Sequence, residues 1–172
     1  MAEATVKIDR ALARKVLATV DAGLVAGLGN PFPGQMCVEA AVNYALGADH
    51  GDNPSCVGAA VRAFKIRLND AKWPSNAERT AGMRKLAIAQ LGSDTIDQKK
   101  FALYVVINTV KRILPITLRF IASRGSAHKD AFEGAALTCT LVNDLSSARK
   151  AAIAARDLCY KVRAAAAAAA AA

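Results

Sequence analysis

Four cysteines and two histidines carry the sharpest chemistry in this 172-residue chain. Three of them fall close together in sequence: Cys37, His50 and Cys56, with Asp52 between the last two. Thiolate and imidazole are the ligands that zinc prefers in a tetrahedral shell. The spacing is unlike that of a zinc site, because there is no Cys-x-x-Cys and no His-x-x-x-His pair. The competing reading has both cysteines packed as small apolar side chains and His50 in a turn. Cys37 also lies in the first turn of a helix, just after Pro33-Gly34-Gln35, where the helix terminus can lower a thiol pKa and make it a nucleophile. A general base would then have to come from His50 or His128, and no oxyanion-hole motif accompanies them. The sequence therefore leaves enzyme activity open but leans against it, and it implies no cofactor.

The loop Asp49-His50-Gly51-Asp52-Asn53-Pro54 could hold a cation or a partner. It is read first as a turn, with Gly51 free in φ and Ser55 capping the next helix. Gly27-Leu28-Gly29 is too short to be a phosphate-binding loop. Trp73, just before Pro74, reads as a packing anchor between two helices.

The other chemistry is electrostatic. Lys and Arg total 23 against 14 Asp and Glu, for a net charge of +9. Such a surplus favours anionic partners, or else serves solubility alone. Arg62, Lys65 and Lys72 are expected along one helix edge, Arg84 and Lys85 on the next helix, Lys99 and Lys100 at the start of the fifth, and Lys111, Arg112 and Arg119 around Pro115. These ten are the candidate nucleic-acid-binding residues. They form no helix-turn-helix, zinc-finger or RNA-recognition motif, so any contact would be with the phosphate backbone.

The elements that must position these residues are helical. Hydrophobic residues make up 53% of the chain and aromatics only 5%, and alanine supplies much of the difference. Alanine favours helices and buries little area. The expected fold is all-α, a compact bundle of six or seven helices with the last one projecting. Its domains are 1–145 and an alanine-rich helix over 146–172. Asp9 caps a first helix to Val25; a second runs from Gln35 to Leu46 with Gly47 at its end; a third runs from Ser55 to Asn69 with Val57, Val61, Phe64 and Leu68 inward. Ser75 and Glu78 form a capping pair for a fourth helix, Asn76 to Leu91. A fifth starts at Ser93 or Asp94 and should kink or end near Leu114 because of Pro115, with a short helical piece, Ile116 to Ala122, continuing beyond the kink. A sixth spans Ala127 to Val142 and a seventh starts at Ser146. Phe101 to Ala122 is the most apolar stretch. Lys111, Arg112, Arg119 and Pro115 argue against a bilayer span there. The core is expected to include Val16, Val20, Val38, Val42, Leu46, Val61, Phe64, Leu68, Leu86, Leu91, Phe101, Val105 and Leu118. The N-terminus lacks the apolar region of a signal peptide, so reduced thiols in the cytoplasm are expected.

The segment with Cys37-Val38-Glu39-Ala40-Ala41-Val42, Tyr44-Ala45-Leu46-Gly47 and His50-Gly51-Asp52-Asn53-Pro54-Ser55-Cys56-Val57 resembles a group of bacterial and bacteriophage proteins with alanine-rich helical tails. Leu68-Asn69-Asp70-Ala71-Lys72-Trp73 and Leu86-Ala87-Ile88-Ala89-Gln90-Leu91-Gly92-Ser93 extend the likeness, which covers about a third of the chain. It implies no catalytic residue. It suggests a phage-linked protein, and hence a place in the virion as an alternative to the cytoplasm. The expected function is that of a non-catalytic helical interaction or assembly protein, a bacteriophage structural or accessory component. The expected partner is another protein or a second copy of the chain; backbone binding of nucleic acid is the alternative.

Overall fold

The computed structural model describes residues 6–124 and 127–170 and is all-α, with seven helices and, among the described residues, no strand. They are α1 (Arg10–Asp21), α2 (Val38–Leu46), α3 (Ala59–Asn69), α4 (Asn76–Ala89), α5 (Gln98–Ser123), α6 (Lys129–Thr140) and α7 (Leu145–Ala170). The chain divides into two units, Met1–Phe101 and Ala102–Ala172, each with its own core. This division falls at 101/102, whereas the sequence suggested 145/146.

In the first unit, α1 packs on α2 and α4, and α2 on α3. Asp9 caps α1 as expected: its carboxylate accepts from the Ala11 and Leu12 amides, both at 2.9 Å. Val16, Val20, Leu24, Met36, Val38, Val42, Met83 and Ala87 are fully buried. The connection between α1 and α2 is folded back on itself. Val25 N–H donates to Met36 O at 3.1 Å and Cys37 N–H to Leu28 O at 3.1 Å. Gly29 sits at φ +72°, and a Cβ there would lie 2.0 Å from Gln35 O, so only glycine fits. Asn69 clasps this loop: its side-chain oxygen accepts from Val38 N–H at 3.3 Å, and its amide donates to Val25 O at 2.9 Å.

The inward face of α3 differs from expectation. Val61, Lys65 and Asn69 are buried, while Phe64 is 37% exposed and meets Phe101 edge-on. The helix starts only at Ala59, and its face is turned so that its polar residues meet polar partners on α2 and α4 rather than aliphatic ones.

In the second unit, α5 packs on α6 and α6 on α7. Phe132, Leu118, Val142 and Cys139 are buried among Ala122, Ala136, Ala148, Ala151 and Ala155. Small side chains let these helices approach closely, so the start of α7 belongs to this core instead of projecting. Pro115 does not end α5. The helix passes through a π turn at Thr109–Ile113 and resumes at Leu114 with Pro115 in its first turn. There the missing N–H falls where a fresh helix start would leave it unpaired anyway, which is why the break is absorbed. The result is a 26-residue helix long and apolar enough, by length and composition, to cross a membrane.

Candidate functional site

The residues proposed as metal ligands do not converge. Cys37 is the N-cap of α2, its sulfur accepting from Ala40 N–H at 3.4 Å. His50 is exposed, with Nε2 3.1 Å from Gly29 O. Cys56 is buried beside Gly92, whose N–H donates to the Cys56 carbonyl. Among the described residues, no three His, Cys, Asp or Glu side chains are grouped to hold a metal ion. The loop at 49–54 is fastened as a turn: Asn43 donates to Gly51 O at 2.8 Å and Arg62 to the Asn53 side chain.

The nucleophile reading of Cys37 is also corrected. Burial pushes its thiol pKa up, outweighing the backbone N–H groups of Ala40 and Glu39 that favour the thiolate. A protonated, buried sulfur is a poor nucleophile. Burial likewise raises Cys56 and Cys139, and only Cys159 is exposed.

Beside Cys37 lies a polar cluster that the sequence did not reveal. Glu39 is 0% and Lys65 2% exposed, with Lys65 Nζ 3.9 Å from Glu39 Oε1. Gln90 from the end of α4 lies against them, also buried. Neither Glu39 oxygen, nor Lys65 Nζ, nor either polar atom of the Gln90 amide makes a hydrogen bond among the described residues. Desolvation raises the Glu39 pKa to about 7, against the opposing pull of Lys65, and lowers that of Lys65 to about 8. Lys65 therefore leaves the set of residues that could meet a phosphate. A cavity of about 30 Å³ lined by Cys37, Glu39, Asp52, Asn69 and Asp70 adjoins the cluster. Ligand pockets typically run to several hundred Å³, so it is too small for an organic substrate.

The other nine basic candidates are scattered. Arg84 makes a two-point ion pair with Asp21, at 2.6 and 2.9 Å. Lys100 pairs with Asp97 at 3.7 Å, and Arg119 with Glu133 at 3.7 Å. Lys72, Lys85, Lys99, Lys111 and Arg112 are exposed, and Arg62 is half-buried.

The second unit presents a different kind of surface. Tyr104, Ile113, Ile116 and Phe120 on α5, with Leu137 and Leu141 at the end of α6, are each between 57% and 73% exposed. Only 17% of the most apolar part of α5 is buried. A single exposed leucine is ordinary, but six large apolar side chains exposed on two packed helices are not. Ile116 and Phe120 lie one turn apart, as do Leu137 and Leu141. On α5, Val110, Leu118 and Ala122 belong to the unit's core, so the exposed apolar side chains of that helix form a second apolar surface on it. Sequence reasoning placed Val105 and Leu118 inward: Leu118 is buried, but Val105 is half-buried and joins neither core; the outer face was missed because a helix apolar on both sides shows no clean stripe.

No protein-family model, curated protein or solved structure matches the chain.

Proposed function

We propose that the protein is a non-catalytic interaction or assembly protein and that it docks through the outward face of its second unit. The observation that supports this reading is the exposed apolar surface of α5 and α6, on a unit whose own core is already filled by other side chains. The buried, protonated thiol of Cys37 argues in the same direction, since it does not suit nucleophilic attack on a substrate. We propose a structural or accessory part in a phage particle as the context for such docking, from the resemblance drawn for residues 37–92.

Light scattering on the tagged full-length protein, eluted from its source cells by size exclusion, tests the reading. The expected result is a particle heavier than the 18.0 kDa chain, reduced to the monomer mass by Ile116→Ser with Phe120→Ser. Monomer in both forms, with nothing bound, would overturn it.

A further inference from the structure

The charge on α5 points to the kind of partner that the docking face takes. This step rests on the docking reading above. Between Ala102 and Arg124 the chain has four basic residues, Lys111, Arg112, Arg119 and Arg124, and no Asp or Glu. Ile116 and Phe120 lie one turn apart on the helix, Arg112 precedes them in the π turn, and Arg124 caps the C-terminal end. All four are exposed, and Arg112 has no carboxylate partner among the described residues. The Arg124 guanidinium lies 5.7 Å over the Phe120 ring. Along the chain the ridge therefore reads cation, apolar, apolar, cation, with the two apolar side chains on the helix and a cation at each end.

We infer that this ridge docks an acidic amphipathic helix of a partner protein. Two apolar side chains of that helix would pack against Ile116 and Phe120. Carboxylates on either side of them would reach Arg112 and Arg124, whose planar guanidinium groups suit two-point pairing with a carboxylate. The other occupants fit less well. A second copy laid against the same face would bring guanidinium groups together. A nucleic acid backbone would satisfy the arginines but leave Ile116 and Phe120 in water. In a bilayer these two side chains would enter hydrocarbon only by drawing the arginines in line with them, which is costly.

The test is fluorescence anisotropy of the full-length protein with a labelled helical peptide. The peptide bears two glutamates twelve residues apart with leucines between them. A peptide with lysines in place of the glutamates, vesicles containing phosphatidylserine, and a mixed-sequence DNA duplex are run alongside. The glutamate peptide is expected to bind. Arg112→Glu with Arg124→Glu should weaken it at least about tenfold and turn the preference to the lysine peptide. Ile116→Ser with Phe120→Ser should weaken it by a similar factor. All four positions are exposed, and unchanged far-UV circular dichroism confirms that the variants fold. Tighter binding to vesicles or duplex than to the peptide overturns the inference. So does peptide binding that charge reversal leaves unchanged. If the serine pair abolishes assembly while charge reversal does nothing, the docking face stands and the acidic partner falls. If neither pair changes assembly or peptide binding, both fall.

Discussion

At the scale of single residues, the most consequential are Glu39 and Lys65. Each loses its water in the core, and a 3.9 Å contact recovers only part of the cost. Glu39 has a raised pKa, so its folded form prefers the proton. Its favourable contribution is complete below 4.5 and is lost as pH rises through about 7. Lys65 has a lowered pKa, so its contribution is complete above 10.5 and is lost as pH falls through about 8. The two losses overlap between pH 7 and 8. Relative to Glu39→Gln with Lys65→Met, the wild type should be least stable in that window and recover on both sides, read from urea midpoints across pH. A gap independent of pH would refute the placement of this pair. Lys65→Ala alone should cost about 3–5 kcal/mol, because it strands a buried carboxylate. The thiols give a second reading. Cys159 should react quickly with a thiol reagent in the native protein, while Cys37, Cys56 and Cys139 should react only on unfolding.

At the scale of elements, local signals in the sequence were legible where a single residue type has one good use. Asp9 and Ser75 accept the backbone N–H groups expected of helix caps, and Gly47 takes the left-handed conformation at the end of α2. What was not legible depended on partners far away in the chain. Periodicity put Phe64 inward, but the facing surfaces offered Glu39 and Gln90, and α3 buried Lys65 instead. Pro115 marked the place where the regular α-helix gives way, near Leu114; that the chain passes it through a π turn at Thr109–Ile113 was not legible. Such long-range fit also decides the effect of Gly82, on α4. Gly→Ala inside a helix is normally worth about 1 kcal/mol of added stability. Here the new Cβ would lie 2.3 Å from the Trp73 ring, whose Nε1 is held by Leu68 O at 2.9 Å. Gly82→Ala should therefore destabilise the protein by about 1–3 kcal/mol and shift the Trp73 emission. An increase in stability would show that the indole is not packed there.

At the scale of the whole molecule, two cores serve one chain, and the boundary between them was hidden because it falls inside a continuous helix. The single tryptophan lies in the first unit, so its fluorescence reports on that unit alone, whereas far-UV circular dichroism reports on both. Phe132 is the largest side chain in the second core, and Phe132→Ala should cost that core about 3–5 kcal/mol. The far-UV transition should move to lower denaturant while the Trp73 transition stays in place; coincident shifts would contradict the division.

The first unit encloses its polar cluster, and the second exposes the surface proposed for docking. The most direct measurement of that assignment is amide hydrogen exchange on the assembled wild-type protein and on Ile116→Ser with Phe120→Ser. Slower exchange is expected over residues 104–124 and 137–141 in the assembled form, with the first unit exchanging alike in both. Equal exchange over those segments, or protection confined to the first unit, would contradict it.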